Sequence, residues 1–213
     1  VKFMIAIIDY GAGNLQSVEK ALRYIGCDCQ TTSDPAVLLA AKAAILPGVG
    51  AFGDTMENLR AQGLEEPIKA YIQSGRPFLG ICLGLQVLFE SSEESPGVPG
   101  LGVLKGKIVR LPEGPGLKIP HIGWNSLDIR RPGGLFAGQR AEPFVYFVHS
   151  YYLQAEEDVV TATAGYGVSI HAAVEKGNLW ACQFHPEKSG EAGLQMLRSF
   201  CGRAEQEVKN QRG

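Results

Sequence analysis

The chain begins with an unbroken apolar run, Met4 to Ile8, that stops at Asp9-Tyr10-Gly11-Ala12-Gly13. Such a run reads as a strand buried on both faces, and the glycines mark the turn after it. Leu15, Val18, Leu22 and Ile25 then recur at helical spacing, with Asn14 as the N-cap and Gly26 as the stop. The unit repeats. Cys27 to Thr31 is a strand, Asp34-Pro35 opens a short helix, and Ala43 to Leu46 is a strand that runs into glycines. Leu64 to Gln73 follows as a helix and Pro77 to Ile81 as a strand, and Leu85 to Glu90 begins another helix. Buried strands alternating with amphipathic helices predict a parallel sheet.

After residue 90 the pattern changes. Loops rich in Pro and Gly (Ser91 to Gly100, Pro112 to Gly116, Pro132 to Gly134) separate strand-like pieces at Leu101 to Arg110, Phe144 to His149, Val159 to Ala164, Ser169 to Val174 and Leu179 to Phe184. Lys176-Gly177-Asn178 joins the last two as a hairpin. A closing helix runs from Ser189 to about Cys201, and Arg203 to Gly213 reads as a polar, frayed tail. The expected fold is α/β, an open, mostly parallel twisted sheet flanked by helices, with added antiparallel strands in the second half. Residues 1–202 are expected to form one domain and 203–213 the tail.

Composition narrows the partners. With 20 Lys+Arg against 22 Asp+Glu, the chain lacks the positive field that a phosphate backbone or an anionic membrane would attract, so neither nucleic acid nor membrane is expected. The first apolar run is far below the ~20 residues of a membrane span. Five cysteines (Cys27, Cys29, Cys82, Cys182, Cys201) form no disulfide-scaffold spacing, which points to a reducing cytoplasm and leaves any one thiol free to react.

One of those thiols has a distinctive setting. Gly80-Ile81-Cys82-Leu83-Gly84 sits where a buried strand meets a helix, with the glycine-x-nucleophile-x-glycine spacing of an elbow. A strained turn there presents the thiol, and the amides at the helix start favour a thiolate. The base candidate is His185, at the end of a strand in Phe184-His185-Pro186-Glu187. In an extended segment residues i and i+2 share a side, which lets Glu187 orient the imidazole. Pro47-Gly48-Val49-Gly50 follows another strand end, and its backbone N–H groups, with that of Leu83, can supply an oxyanion hole.

Other motifs fail. Gly48 to Thr55 has phosphate-loop spacing, but Asp54 stands where lysine is needed. Gly11-x-Gly13 lacks the third glycine of a dinucleotide fingerprint, since Gln16 occupies it. Cys27-x-Cys29 has no matching pair for zinc, and His121 and His171 have no partner in the sequence, so no metal and no cofactor are expected.

Gly80 to Gln86 and Phe184 to Glu187 together resemble the two signature segments of the triad-type (class I) glutamine amidotransferases. Asp9 to Asn14, Pro47 to Phe52, His121 to Asn125, Val148 to Tyr152 and Lys188-Ser189 narrow the resemblance to the glutaminase subunits of imidazole glycerol phosphate synthase. The resemblance runs from residue 4 to about 200. It implies that Cys82, His185 and Glu187 convert glutamine to glutamate and ammonia through a thioester. It further implies that the ammonia passes to a (β/α)8-barrel cyclase subunit in a heterodimer. Gly50, Gln86, His149, Ser150 and Tyr151 match positions around L-glutamine, and Asn14, Trp124 and Lys188 match segments facing the cyclase; for Trp124 and Tyr152 simple packing is a reading close behind interface or substrate contact. Amidotransferase subunits serving chorismate enzymes, a cysteine hydrolase or stress-type Cys protein of similar architecture and a non-catalytic binding module are the competing classes. Hydrolases of that architecture often carry His directly after the nucleophile, where Leu83 stands here.

Overall fold

The computed structural model describes residues 4–210. In chain order the strands are β1 (Ile5–Ile8), β2 (Cys29–Thr32), β3 (Ala43–Gly48), β4 (Phe78–Cys82), β5 (Ser91–Ser92), β6 (Gly106–Arg110) and β7 (His121–Ser126). They continue with β8 (Asp128–Ile129), β9 (Phe144–His149), β10 (Tyr151–Ala155), β11 (Val160–Gly165), β12 (Ser169–Lys176) and β13 (Leu179–Cys182). The helices are α1 (Leu15–Tyr24), α2 (Pro35–Ala40), α3 (Phe52–Ala61), α4 (Glu65–Gln73), α5 (Leu83–Gln86) and α6 (Gly190–Asn210).

Eight strands form the central sheet in the order β2-β1-β3-β4-β13-β12-β11-β8. Pairings from β2 to β13 are parallel and those from β13 to β8 antiparallel, as the change of pattern after residue 90 predicts. Alternate residues of β1 feed two cores: Ile5 and Ile7 face one side, where Val18, Leu22, Met196 and Phe200 from α1 and α6 pack. Ala6 and Ile8 face the other, against Leu38, Met56, Leu59 and Ile68 from α2, α3 and α4. Burying a strand on both faces needs apolar residues at every position, which is why β1 shows no alternation.

Several local expectations need correction. The helix expected from Leu85 begins at Leu83 and is a single turn, so its dipole is small. Asn14 occupies the N-cap of α1, but its side chain makes no capping hydrogen bond, whereas Asp34 accepts from Ala36 N–H at 2.8 Å to cap α2. The strand expected from Leu101 starts only at β6, because Gly102 and Gly106 take positive φ. Helix α3 has no counterpart in the sequence reading, although Phe52, Thr55, Met56 and Leu59 follow helical spacing and are buried. Nor do β7 and β10.

The closing helix extends beyond Cys201, and Arg203–Asn210 is helical instead of frayed. Ala204 is buried in the core, Arg203 Nε donates to Asn178 Oδ1 at 2.7 Å, and Arg203 pairs with Glu207 one turn on. Residues 211–213 of the expected tail lie outside the described residues. No helix among the described residues is long and apolar enough to cross a membrane.

Candidate active site

β3, β4 and β13 lie side by side and parallel, so their C-terminal ends open onto one edge of the sheet. The register pairs Gly48 with Cys82 and Cys182 with Ile81. Residues far apart in the chain, the 48–50 loop, Cys82 and the 183–187 segment, therefore converge at one crevice, where open α/β sheets place ligands.

Cys82 takes φ 56° and ψ −108°, and it is the one non-glycine with positive φ among the described residues. Such a conformation costs on the order of 1–3 kcal/mol and persists only where packing enforces it. Enforcement comes from the flanking glycines. A Cβ at Gly80 would strike the Gly84 carbonyl, and one at Gly84 would strike the Leu46 carbonyl, so the turn closes only with hydrogen at both positions.

His185 Nδ1 lies 2.8 Å from Glu187 Oε1, and both side chains are almost wholly buried. The contact is made by a one-turn 3-10 helix over Pro186–Lys188, not by the extended i, i+2 geometry expected from the sequence. Ser189 Oγ pins that turn, donating to the His185 carbonyl at 2.6 Å and accepting from Tyr146 N–H at 2.9 Å. With Nδ1 on the carboxylate, Nε2 is the remaining working atom; it is buried without a hydrogen-bond partner within the chain. Burial disfavours the imidazolium, but Cys82 and Glu187 outweigh it and raise the His185 pKa to about 10. Cys182 behaves differently: full burial, with Glu187 and Cys82 nearby, pushes its thiol up, so it remains protonated.

A cavity of about 420 Å³ opens over Cys82. Val49, Gly50, Leu83, Gln86, His149, Ser150 and Tyr151 line it, and so does Lys188, which the sequence reading expects at an interface. Gly50 has φ 105°, a value suited to glycine. Gly48 is buried behind this lining, with so little space that a Cβ would lie 2.5 Å from Tyr10 Oη and 2.7 Å from Leu83 Cβ. Asn14 starts α1, and Trp124 projects from β7 with 56% of its surface exposed. Tyr152 is buried.

Three polar residues were missed or dismissed. Glu94 lines the cavity while its Oε2 accepts from Phe52 N–H at 2.8 Å. Gln183 is fully buried, with Nε2 3.6 Å from Cys82 Sγ. His121, read as a lone residue, instead has Nδ1 3.0 Å from His149 Nε2. A polar residue directly after a buried strand was the available signal for Gln183. His121 had none, since its partner is supplied by strand pairing.

The family model for glutamine amidotransferase class-I matches residues 6–204. The chain belongs to that family. Within it, the chain is 56% identical over 197 residues to imidazole glycerol phosphate synthase subunit HisH of Methanothermobacter thermautotrophicus, covering 92% of this chain and 97% of the relative. It is 52% identical to the protein of the same description from Syntrophotalea carbinolica, covering 92% and 98%. Among solved structures, a putative GMP synthase protein from Thermoplasma acidophilum superposes with TM-score 0.75 at 18% identity, covering 100% of this chain and 99% of that one. PurLQS from Thermotoga maritima gives 0.74 at 22% identity, covering 95% and 99%. The structural likenesses establish the fold, and the sequence likenesses place the chain in the HisH branch of the class I amidotransferases.

Proposed function

We propose that this chain is the glutaminase subunit of imidazole glycerol phosphate synthase. It hydrolyses glutamine through a Cys82 thioester and passes ammonia to the cyclase subunit, which makes imidazole glycerol phosphate and aminoimidazole carboxamide ribotide in histidine biosynthesis. The observation that carries the chemistry is the 2.8 Å His185–Glu187 contact, which leaves a buried, unpartnered Nε2 for the Cys82 thiol at the cavity floor.

In the forward step Nε2 takes the thiol proton and Sγ attacks the glutamine side-chain carbonyl carbon. The backbone N–H groups of the Gly48–Gly50 loop and of Leu83 are positioned in sequence to receive the oxyanion. His185 then protonates the leaving nitrogen, the C–N bond breaks, and ammonia departs. Water adds to the thioester with His185 as base, the C–S bond breaks, and glutamate leaves. Glu187 keeps its proton-accepting oxygen on Nδ1 throughout and stabilises the imidazolium. Glu94 supplies negative charge for the α-ammonium group of glutamine, while Gly50, Gln86, His149, Ser150 and Tyr151 wall its pocket.

The partner is a (β/α)8-barrel cyclase, forming a heterodimer. Support comes from the surface beside the cavity: Ile122, Trp124 and Phe144 expose 58%, 56% and 59% of their area on the β7–β9 ribbon, whose end at Val148 and His149 lines the cavity. Adjacent exposed apolar side chains mark an interaction face, and Asn14, Trp124 and Lys188 are its proposed polar and aromatic anchors. Uncoupled hydrolysis wastes ammonia, so glutaminase turnover is slow in the isolated chain and rises strongly when cyclase and its ligand are added, with a peptide flip in the Gly48–Gly50 loop as the gate. Equal rates with and without cyclase would remove the gating. Cys82→Ala abolishes glutamine-dependent synthesis by the complex but leaves ammonia-dependent synthesis; retained glutaminase activity would refute the nucleophile.

A further inference from the structure

Gln183 follows β13 directly and sits two residues before His185, with no exposed surface. Its Nε2 is 3.6 Å from Cys82 Sγ, and its Oε1 accepts from Gln86 Nε2 at 3.0 Å. Gln86 Nε2 also donates to the main-chain carbonyl of Tyr151 at 3.1 Å. A carbonyl oxygen can only accept, so Tyr151 dictates which end of Gln86 carries the NH2 group, and Gln86 in turn dictates the orientation of Gln183. The backbone thus decides, through two side-chain amides, that the sulfur meets an N–H and not a carbonyl oxygen.

We propose that Gln183 is a further catalytic residue of the glutaminase reaction, donating a hydrogen bond to the Cys82 sulfur whenever it carries charge, with Gln86 as the positioning residue behind it. The inference rests on the reading of Cys82 as nucleophile. Cys82 is only 4% exposed, so water is a poor source of solvation for a thiolate there, and a buried charge without a donor is costly. Charge appears on sulfur twice. It is present before attack, after the thiol proton has gone to His185. It returns at deacylation, when water oxygen bonds to the acyl carbon, the C–S bond breaks and the electron pair returns to sulfur. In the thioester between these steps the sulfur is neutral and the donor has little to stabilise, so the contact favours the ionised nucleophile and leaving group over the intermediate.

The test is the pH dependence of Cys82 alkylation by iodoacetamide, followed on the Cys82 peptide by mass spectrometry so that the other four cysteines do not interfere. Gln183→Met removes the donor at similar volume. Its expected effect is roughly tenfold slower alkylation at pH 7, the order expected for one lost hydrogen bond to a charged group, with the half-maximal rate moved to higher pH and the wild-type rate regained in alkali. A folded Q183M protein with an unmoved profile overturns the proposal, because a packing role alone changes the unfolding midpoint and not the profile. Should Q183M fail to fold, Gln86→Met decides: it keeps Gln183 but releases its amide, and a smaller shift in the same direction is expected, with an unmoved profile counting against. Alkylation uses neither glutamine nor a partner, so its outcome is separable from the glutaminase reading, which fails instead if a glutamine-mimicking diazo ketone leaves wild-type Cys82 unlabelled.

Discussion

His121 and His149 are register partners across the β7–β9 ribbon, and their imidazoles join through a 3.0 Å Nδ1–Nε2 contact. His149 Nδ1 lies 2.8 Å from the Tyr151 carbonyl and so carries the proton, which leaves Nε2 as acceptor and makes His121 Nδ1 the donor. His121 is stacked on Phe147 on one side and Tyr166 on the other, with ring centroids 4.7 and 3.9 Å away. Of this neutral pair, His149 lines the cavity. Burial lowers the pKa of each histidine to about 4; for His149 the Tyr151 carbonyl opposes the shift, and His121 and His185 add to it.

Both histidines are neutral when folded and titrate near 6.5 when unfolded, so between about pH 6.5 and 4 the unfolded chain binds more protons. Stability therefore falls as the pH drops through that window, on the order of 2–3 kcal/mol per histidine by pH 4. Urea unfolding of wild type and His121→Phe across this range should give a shallower acid loss in the variant, beside a general cost of about 1–3 kcal/mol for stranding His149 Nε2. Parallel pH profiles would contradict the assignment.

At Glu187 the sign is reversed. His185 is raised to about 10, so the stabilisation of its charged form is complete below its unfolded value near 6.5 and is lost as pH rises through about 10. Glu187→Gln removes the carboxylate that supports this charge and the correct tautomer. Glutaminase kcat should drop by roughly a hundredfold or more with little change in KM, and the alkaline loss of stability between pH 7 and 10 should be smaller than in wild type. Steady-state kinetics and melting curves over that range check both.

The strain at Cys82 is measurable through substitution. Glycine tolerates φ 56° and alanine does not, so Cys82→Gly should be more stable than Cys82→Ala by about 1 kcal/mol, even after the greater entropy of the unfolded glycine chain. Denaturant midpoints of the two inactive variants give the difference directly, and an Ala variant as stable as the Gly variant would mean that the elbow stores no strain.

Two glycines offer a contrast. Gly84→Ala drives a methyl group into the Leu46 carbonyl, which cannot move without disturbing β3, and should cost at least about 3 kcal/mol. Gly202 lies within α6 with open space around it, so Gly202→Ala should raise stability by up to about 1 kcal/mol. Thermal unfolding of both proteins distinguishes a glycine required by packing from one that only adds helix entropy.

The strand-glycine-helix units of the first half were legible because burial on both faces leaves a continuous apolar signature in each parallel strand. The elbow was legible too, since its two glycines flank the nucleophile within five residues, although one of the collisions they avoid, with the Leu46 carbonyl, comes from β3. Helix α3 escaped because glycines and a rejected phosphate-loop pattern obscured the spacing of Phe52, Met56 and Leu59. Strand β7 escaped because it lies in a ribbon with one exposed face and carries histidine and glycine in place of an apolar run, and β10 because tyrosine and glutamine interrupt it where it pairs with β6.

By itself the sequence determined the parallel core, the family, and the choice of Cys82, His185 and Glu187 as the residues proposed for catalysis. The tertiary structure alone decided which polar side chains meet: His121 with His149, Gln86 with Gln183, and Gln183 with the sulfur. The reason lies in the range of the forces. Periodicity and turn chemistry are written within a few residues, whereas a hydrogen bond between strands depends on register, and register is fixed only when the whole sheet closes on its two cores.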